Sequence, residues 1–252
     1  MNEFKHPLGN LKIKLIKFLA IMLSKTVLFF LSLFLKIDKN KSEIIISSAT
    51  WAPWKEDKEF NTFYKKIIDY TLLDIKRLYS LWYFSKLLKN EKGNILDIGC
   101  LKGGAGFTMA RANKRGNTTL IDTFEGLIEE EKYHKIGHFV FDKIEIVENK
   151  IKTLKLKNTK VVKGYFPRSI KKKIVGKSLK LCHIDVNTYN STKATFDFVR
   201  KKIIKNGIII FDDYGIYSTD VIKEFISLIS KKYKKDFTFI NNYMGQCILI
   251  KK

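Results

Sequence analysis

Three aspartates are the residues of this sequence best suited to chemistry. Asp185 follows the apolar segment Leu179–Ile184, and Asp212-Asp213 follows the apolar segment Gly207–Phe211. If these segments are neighbouring parallel strands, the three carboxylates gather at one sheet edge and repel one another unless a hard cation lies among them. Oxygen ligands suit Mg²⁺, which can lower the pKa of a bound hydroxyl. The spacing therefore predicts a Mg²⁺ site, with an ordinary turn as the alternative for Asp212-Asp213.

A glycine-rich turn marks a second candidate site. The apolar segment Asn94–Ile98 runs into a turn and then a helical pattern, and the turn region contains Gly99, Gly103, Gly104 and Gly106. Glycines let the backbone approach a ligand closely, and a helix N-terminus favours electronegative groups. Asp122 ends the next apolar segment, about 20 residues beyond the turn, where a carboxylate can accept from both hydroxyls of a ribose. A nucleotide-type cofactor is predicted here, with capping of the next helix as the alternative role of Asp122.

Both sites require an alternation of strands and helices. Apolar, β-branched runs occur at Asn94–Ile98, Thr118–Ile121, Lys160–Val162, Leu179–Ile184, Gly207–Phe211, Phe237–Ile240 and Cys247–Ile250. Amphipathic helical patterns lie between most of them, notably over Thr192–Ile203 and Asp220–Lys232. This alternation predicts an α/β fold with a mostly parallel seven-stranded sheet and helices on both faces. The short link Asn241–Gln246 predicts that the last two strands pair antiparallel.

Residues 42–90 are predicted to form a helical cap on a catalytic domain of residues 91–252. Apolar and aromatic residues recur at threes and fours from Phe60 to Trp82, and this series includes Ile68 and Leu72. We expect these side chains to contact the core.

The N-terminal segment, residues 1–41, combines an apolar run with lysines. The run Phe18–Leu35 is about as long as a membrane span, but Lys25 near its middle opposes insertion. Lysines flank the run on both sides, at Lys12, Lys14, Lys17, Lys36, Lys39 and Lys41. On a helical wheel Lys25 shares a narrow sector with Lys14 and Lys36, opposite a wide apolar face. The pattern favours a helix in the membrane interface that makes contact through residues 11–36. A helix docked on protein and a true span are the alternatives.

Composition narrows the function classes. The 252 residues are 45% hydrophobic, which excludes a disordered chain. The formal net charge is +23, but the basic residues are mostly lysines, whereas nucleic-acid recognition relies on the planar fork of arginine. We therefore predict no nucleic-acid partner. Three cysteines without a C-x-x-C pair indicate a reducing compartment. The predicted location is cytoplasmic, with attachment to the cytoplasmic face of the inner membrane if the N-terminal helix binds lipid.

A series of motifs from about Tyr70 to the C-terminus resembles the macrocin O-methyltransferase-like family. Enzymes of this family are class I S-adenosylmethionine-dependent methyltransferases that act on sugar hydroxyls. The motifs, in matching order, are Tyr70–Tyr79, Asp97-Ile-Gly99, Gly103-Gly104, Asp122–Leu127, Gly164–Pro167, Asp185–Thr192, Asn206-Gly207 and Asp212–Gly215.

The resemblance implies a Rossmann-like class I methyltransferase fold, S-adenosylmethionine and Mg²⁺ as cofactors, and a small-molecule or lipid-linked sugar as the acceptor. It assigns the metal to Asp185, Asp212 and Asp213. The residues that it assigns to S-adenosylmethionine are Asp97, Gly99, Gly103, Gly104, Asp122, Thr123 and Phe124. The oligomeric state stays open, and a homo-oligomer is allowed.

One position departs from the family pattern. The fourth-strand motif commonly carries a second acid that takes the acceptor proton, and Asn187 stands there in this sequence. Because an amide is not a general base at neutral pH, the metal alone must acidify the hydroxyl, another group must take the proton, or activity is lost. We predict catalytic roles for Asp185, for Asn187 as the residue at this position, and for His134 as an alternative base. The predicted function is O-methylation of a sugar or glycoconjugate; the alternative is a non-catalytic, membrane-associated binding module with the same fold.

Overall fold

A computed structural model of the chain describes residues 10–35, 37, 42–45, 51–170 and 178–252. Two units are distinguished, Met1–Ala52 and Pro53–Lys252. In the first unit, helix α1 covers Asn10–Phe34, and the hydroxyl of its buried Ser24 donates to the carbonyl of Ile44 at 2.6 Å. Within α1, Lys14–Phe34 is long and apolar enough to cross a membrane by length and composition. Lys36, Lys39 and Lys41 lie outside the described residues.

The second unit is built on a seven-stranded sheet in the order β3-β2-β1-β4-β5-β7-β6. The strands are β1 Asn94–Ile98, β2 Thr118–Asp122, β3 Thr159–Lys163, β4 Leu179–Ile184, β5 Ile203–Phe211, β6 Phe237–Asn241 and β7 Cys247–Lys251. The pairings from β3 through β5 are parallel, and β7 runs antiparallel to both β5 and β6. The predicted α/β fold with an antiparallel last strand is therefore confirmed.

Helices cover both faces of this sheet. They are α2 Pro53–Glu56, α3 Lys58–Ile67, α4 Ile75–Leu87, α5 Gly104–Ala112, α6 Ile144–Thr153, α7 Tyr189–Val199 and α8 Asp220–Lys232. Alternate residues of β5 point to opposite faces: Ile209 and Phe211 pack with α7 and α8, whereas Ile208 and Ile210 pack in the cluster that contains Leu81 of α4. Burial of both faces is typical of a parallel sheet between two helical layers.

The helix expected over Thr192–Ile203 is displaced toward the N-terminus. It begins at Tyr189 and ends at Val199, and Ile203 is instead the first residue of β5. Ile203 continues the helical spacing from Val199, which explains the error, but it pairs with Leu179 in the sheet. Strand β5 also extends beyond the predicted Gly207–Phe211 because a register irregularity opposite Leu179 and Leu181 accommodates its polar central residues.

The segment from Phe60 to Trp82 is not one continuous helical surface. A short 3₁₀ turn at Ile68–Tyr70 follows α3, and α4 begins only after Asp74, whose carboxylate accepts from the amides of Lys76 and Arg77. Ile68 is 48% exposed and Leu72 is 67% exposed, so the expectation that they contact the core is wrong. The break interrupts the helical period and turns both side chains outward.

The register of the sheet places the chemistry-bearing residues at one edge. Ile98 pairs with Ile121 and Ile184, and Ile184 pairs with Phe211. The next residues along these strands are Gly99, Asp122, Asp185 and Asp212. Because the strands are parallel, all four lie at the same carboxyl edge, where ligands of open α/β sheets bind.

A buried lysine secures the opposite edge. The ammonium of Lys180, at the start of β4, donates to the carbonyls of Glu91 and Arg115 and to Oδ1 of Asn113 at 3.2, 2.7 and 3.0 Å. Replacement of Lys180 by methionine leaves these acceptors without their donor, so we expect a loss of about 2 kcal/mol or more in the free energy of unfolding. Chemical denaturation measures it, with the exposed Lys114→Met as the control; equal stability of the two variants would contradict this role.

Candidate active site

A cavity of about 230 Å³ opens at the carboxyl edge of the sheet. One end is lined by the turn after β1 and by Asp122, and the other by Asp185, Asn187, Thr188 and Asp213. The break between α3 and α4 and the loops that follow β2 and β3 complete its wall. The sheet edge and the cavity therefore bring both sequence-predicted sites into one space.

The glycines of the first turn allow close approach of backbone segments. A Cβ atom at Gly99, where φ is +85°, would lie 1.7 Å from the carbonyl oxygen of Asp185. A Cβ atom at Gly104 would lie 2.6 Å from the carbonyl oxygen of Tyr70. A residue with a side chain at either position would push these backbone segments apart. The two glycines therefore allow the segments to pack closely, and they leave the cavity wall without side chains at these points.

Asp122 fits the ribose of a nucleotide cofactor. Its Oδ2 accepts from the amide of Leu101 and its Oδ1 from the amide of Phe124, each at 2.8 Å. These bonds fix the carboxylate in the cavity wall. Oδ2 keeps a second lone pair for a ribose hydroxyl, whereas Oδ1 also has a long contact of 3.5 Å with the hydroxyl of Thr123, whose 2.8 Å hydrogen bond goes to the carbonyl of Gly126. Burial raises the pKa of Asp122, and the two amide hydrogen bonds oppose that rise.

A buried histidine links two of the strands. Nδ1 of His183 lies 2.8 Å from Oδ1 of Asp97, and Nε2 lies 2.9 Å from Oδ2 of Asp212. Asp97 and His183 are register partners on β1 and β4, which explains their contact. Burial disfavours the imidazolium, but the hydrogen bonds and charges of Asp212 and Asp97 outweigh it and raise the pKa of His183 to about 10. The imidazolium of His183 is therefore a positive charge in the lining of the cavity.

Arg77 of α4 provides a second cation. Its Nη1 contacts Oδ1 of both Asp212 and Asp213, the latter at 3.0 Å. Asp212 Oδ1 also accepts from the amide of Asp213, and its Oδ2 accepts from His183 and from Nε2 of Gln246. Burial alone would raise the pKa of Asp212, but these partners lower it to about 2. All four acceptor sites of this carboxylate are used.

Asp185 differs from Asp212 because its carboxylate has no hydrogen bond among the described residues. It lines the cavity, and one of its oxygens lies within 4.8 Å of ligand atoms of His183 and Asp212. Burial, followed by the charges of Asp213 and Asp212, raises the pKa of Asp185 well above its ordinary value.

The acidic residues of the cavity offer oxygen ligands that fit Mg²⁺. Asp185 and Asp213 have carboxylate oxygens that no described residue binds, and hard oxygen donors of this kind suit Mg²⁺. Both nitrogens of His183 are already bound to carboxylates, so it offers no free lone pair. Asp212 can join Asp185 and Asp213 by exchanging its contact with Arg77. The residues thus fit a hard cation whose directly available ligands are Asp185 and Asp213.

The family model of macrocin O-methyltransferase (TylF) matches residues 30–242 of the 252 residues. The chain belongs to the macrocin O-methyltransferase family. It is an S-adenosylmethionine-dependent O-methyltransferase, as the resemblance of its motifs implied. Among curated proteins, none matches the chain.

Solved structures of methyltransferases share its fold. The O-methyltransferase NovP is 18% identical, with a TM-score of 0.62 over 73% of this chain and 82% of NovP. The calicheamicin methyltransferase CalS11 is 14% identical, with a TM-score of 0.57 over 85% of this chain and 99% of CalS11. A putative caffeoyl-CoA O-methyltransferase from Staphylococcus aureus is 16% identical, with a TM-score of 0.55 over 76% of this chain and 90% of that chain.

The residues that the macrocin O-methyltransferase motifs assign to S-adenosylmethionine fall into two groups. Gly99, Gly104, Asp122 and Thr123 line the cavity. The others lie behind this wall: Asp97 binds His183, Gly103 precedes α5 with φ +92°, and Phe124 is a buried core residue. The first group is therefore placed to contact a ligand directly, and the second to support the first.

The predicted catalytic positions are also divided. Asn187 lines the cavity with φ +59°, a left-handed conformation that asparagine tolerates, and its buried Oδ1 has no partner among the described residues. His134 is not among the cavity-lining residues; it lies in the loop after β2, where its backbone pairs with that of Glu131. Burial, together with the charge of His138, lowers the pKa of His134. The structure brings Asp185 and Asn187 together and leaves His134 outside.

Sequence reasoning missed three partners of the acidic residues: Arg77, His183 and Gln246. Arg77 and His183 lie inside or beside motifs that resemble the family, but their chemistry depends on contacts with residues far along the chain. Arg77 reaches Asp212 from a helix that precedes the sheet. Gln246 lies in the link between β6 and β7, where the sequence carries no signal that it would bind Asp212.

The raised pKa of His183 predicts how stability depends on pH. The imidazolium contributes its full stabilisation below pH 6.5, its ordinary pKa, and this contribution is lost as the pH rises toward about 10. We expect the melting temperature of the chain to fall over this interval and that of His183→Gln to fall less. Thermal unfolding at a series of pH values measures both, and parallel curves for the two proteins would refute the assignment.

Proposed function

We propose that the chain transfers the methyl group of S-adenosylmethionine to a hydroxyl of a sugar or glycoconjugate, with the assistance of Mg²⁺. The observation that carries this proposal is the continuity of one cavity from Asp122 to the unbonded carboxylate of Asp185. A structural neighbour supports a sugar acceptor, since CalS11 is described as a TDP-rhamnose 3'-O-methyltransferase.

In this mechanism the residues of the chain mainly position the reactants. Asp122 binds the ribose hydroxyls, and the bare wall at Gly99 and Gly104 admits the rest of the cofactor. Asp185 accepts the hydrogen bond of the acceptor hydroxyl and so directs its oxygen toward the methyl group. As the O–CH3 bond forms and the bond from sulfur to the methyl group breaks, Asp185 takes the hydroxyl proton and S-adenosylhomocysteine leaves. Alignment of two reactants in this way accounts for much of the acceleration in a transfer of an already activated group.

The cations of the site determine its charge balance. Arg77 and His183 hold Asp212 and Asp213 in place and reduce repulsion among the carboxylates. Asp185, Asp212 and Asp213 are the residues that would hold Mg²⁺, with Asp212 exchanging Arg77 for the ion. When bound, Mg²⁺ supplies Lewis acidity that lowers the pKa of the acceptor hydroxyl, which is the chemistry required where Asn187 replaces an acid.

Release of S-adenosylhomocysteine tests the proposed function. The full chain is incubated with S-adenosylmethionine, Mg²⁺ and a mixed glycan extract, and the demethylated cofactor is quantified against a sample without extract. We expect acceptor-dependent release that a chelator diminishes. Cofactor binding without any release would favour the non-catalytic binding module that Asn187 suggests, whereas release that the chelator leaves unchanged would refute the role of Mg²⁺.

We further propose that α1 attaches the enzyme to an anionic membrane surface, close to lipid-linked acceptors. Its apolar residues are largely exposed within their own unit: Leu19 and Leu23 are each 56% exposed, and Lys14 and Lys25 are exposed as well. Such a helix buries its apolar face at the lipid boundary while its lysines reach anionic headgroups.

Vesicle co-sedimentation of the full chain tests this attachment. We expect binding to vesicles with phosphatidylglycerol and at least about tenfold weaker binding after Leu19→Glu and Leu23→Glu together, because two buried leucines contribute several kcal/mol. Lys14→Gln, which removes charge from the lysine-bearing side of the helix, serves as the control. Equal sedimentation of the double variant and the control would contradict the proposal.

A further inference from the structure

Four polar residues, three from separate loops and Ser191 from the first turn of α7, meet in and behind the wall of the cavity. Oη of Tyr165, after β3, lies 3.4 Å from Oε1 of Glu129 and 3.2 Å from Oγ of Ser191. Oγ1 of Thr188 lies 3.2 Å from Oε2 of Glu129 and 2.7 Å from Oγ of Ser191. Tyr165, Thr188 and Ser191 line the cavity, whereas Glu129 stands behind them. We call these four residues the hydroxyl wall.

The fold does not require this arrangement. Thr188 is the residue before the first turn of α7, where a threonine hydroxyl ordinarily caps the helix, but its side chain makes no capping hydrogen bond. Glu131 instead accepts from the first amide of the helix, that of Tyr189, at 2.7 Å. The Thr188 hydroxyl is thus committed to the cavity wall although Thr188 is 1% exposed. Burial of the Thr188 and Ser191 hydroxyls is costly unless they are hydrogen-bonded, and Glu129 and Tyr165 supply partners for them.

The hydrogen-bonding capacity of the wall indicates what it binds. A carboxylate only accepts hydrogen bonds, while each hydroxyl has one hydrogen and two lone pairs. Tyr165, Thr188 and Ser191 together have three hydroxyl hydrogens, whereas the wall has five oxygens that can accept: the two of Glu129 and the three hydroxyl oxygens. A hydroxyl that donates to Glu129 keeps its own lone pairs available to accept from a ligand in the cavity. The wall has an excess of acceptors, so a complementary ligand must bring hydrogen-bond donors.

The negative charges around the wall repel a carboxylate of the ligand that faces Glu129. Asp185 and Asp213 line the same cavity, and Glu129 adds a third carboxylate. The basic residues that line it in the described part of the chain are Arg77 and His183, and both are bound to aspartates. A carboxylate on the ring that faced Glu129, rather than the aspartates, would therefore meet no free cation of the described residues and would be repelled.

We propose that Glu129, through Tyr165, Thr188 and Ser191, determines the acceptor specificity of this enzyme. The wall binds hydroxyl or amino donors on the sugar ring that receives the methyl group, and it rejects rings that direct a carboxylate at Glu129. This inference rests on the proposed function and names the substrate class. Glu129 is a positioning residue, since it acts through the hydroxyls that line the cavity.

Transfer of labelled methyl groups identifies the ring. The full chain is incubated with methyl-tritiated S-adenosylmethionine, Mg²⁺ and a mixed glycan extract, the product is hydrolysed, and the labelled monosaccharide is identified. We expect label in neutral or amino sugars. Label in a uronic acid would overturn the inference but leave the proposed function intact, whereas absence of label from all sugars would overturn the proposed function itself.

Variants then assign the specificity to Glu129. With the unreacted glycan fraction that gives the labelled product as acceptor, Glu129→Gln should raise the apparent KM about tenfold, since it places a donor where the wall needs an acceptor. We expect kcat and the affinity for S-adenosylmethionine to change less than about twofold. Glu130→Gln, at the exposed neighbouring position, is the matched control, and Tyr165→Phe should reproduce part of the effect. Equal KM values for the two glutamate variants, with both proteins folded by thermal unfolding, would overturn the proposal.

Discussion

Asp185→Asn is expected to lower the rate of methyl transfer by about a hundredfold to ten-thousandfold, the range associated with loss of a group that acts on the reacting proton. Asp185 lines the cavity, and its carboxylate is free of hydrogen bonds to the described residues. Asparagine has nearly the same shape as aspartate, but its amide oxygen is a weaker hydrogen-bond acceptor and a weaker metal ligand. Initial rates of S-adenosylhomocysteine release measure the effect, with the exposed Asp236→Asn as the control.

The fold of the same variant should be undisturbed. Burial and neighbouring aspartates raise the pKa of Asp185, so the ionised form is unfavourable in the folded protein and its removal should leave the melting temperature unchanged or higher. Asp212→Ala should lose both activity and stability, since it deprives Arg77, His183 and Gln246 of a shared partner. If Asp185→Asn retains the full rate, the assignment of Asp185 to the reaction is wrong.

Asp122→Ala is expected to weaken binding of S-adenosylmethionine by about a hundredfold or more, because hydrogen bonds from two ribose hydroxyls to a carboxylate are lost. Titration calorimetry with the purified chain measures this change. Asp122 also accepts from the amides of Leu101 and Phe124, so Asp122→Asn, which keeps one carbonyl oxygen, separates the loss of charge from disruption of the turn.

An intermediate affinity is expected for that asparagine variant. Lys163→Gln serves as the matched control because Lys163 lies beside Asp122 in the sheet but is not a cavity-lining residue. Unchanged tight binding by Asp122→Ala would rule out the ribose contact, and equal weakening by Lys163→Gln would show that the loss reflects disturbance of this strand end and not the ribose contact.

The sheet was predictable because its signals are local. Apolar runs identified the seven strands within one or two residues except at β5, and the short link Asn241–Gln246 indicated the antiparallel pairing of β6 and β7. Parallel pairing then requires that residues after adjacent strands share an edge, so the proximity of Asp122, Asp185 and Asp212 follows from sequence alone. Ile203 was misplaced because an isoleucine satisfies the helical and the strand pattern equally well.

The partners of these aspartates were not predictable in the same way. The contact of Arg77 with Asp212 depends on where α4 begins, and that start is determined by the Asp74 cap within a segment whose apolar spacing looked continuous. The hydroxyl wall joins Glu129, Tyr165 and Thr188 from three loops, and loop conformation has no periodic signature in sequence. Sequence therefore located the acids but not the groups that neutralise or orient them.

The contact of Arg77 with Asp212 and Asp213 has a consequence for how this enzyme can be divided or recombined. A fragment that starts at β1 would retain every glycine and aspartate assigned to the cofactor and the metal, but it would lack Arg77, which binds two of these aspartates. A chimaera that joins the helices before β1 from one relative to the sheet of another would need an arginine at the position of Arg77 and aspartates at the positions of Asp212 and Asp213. The shortest part of this chain that can be exchanged as an active domain therefore begins before β1, at the helix α4 that carries Arg77.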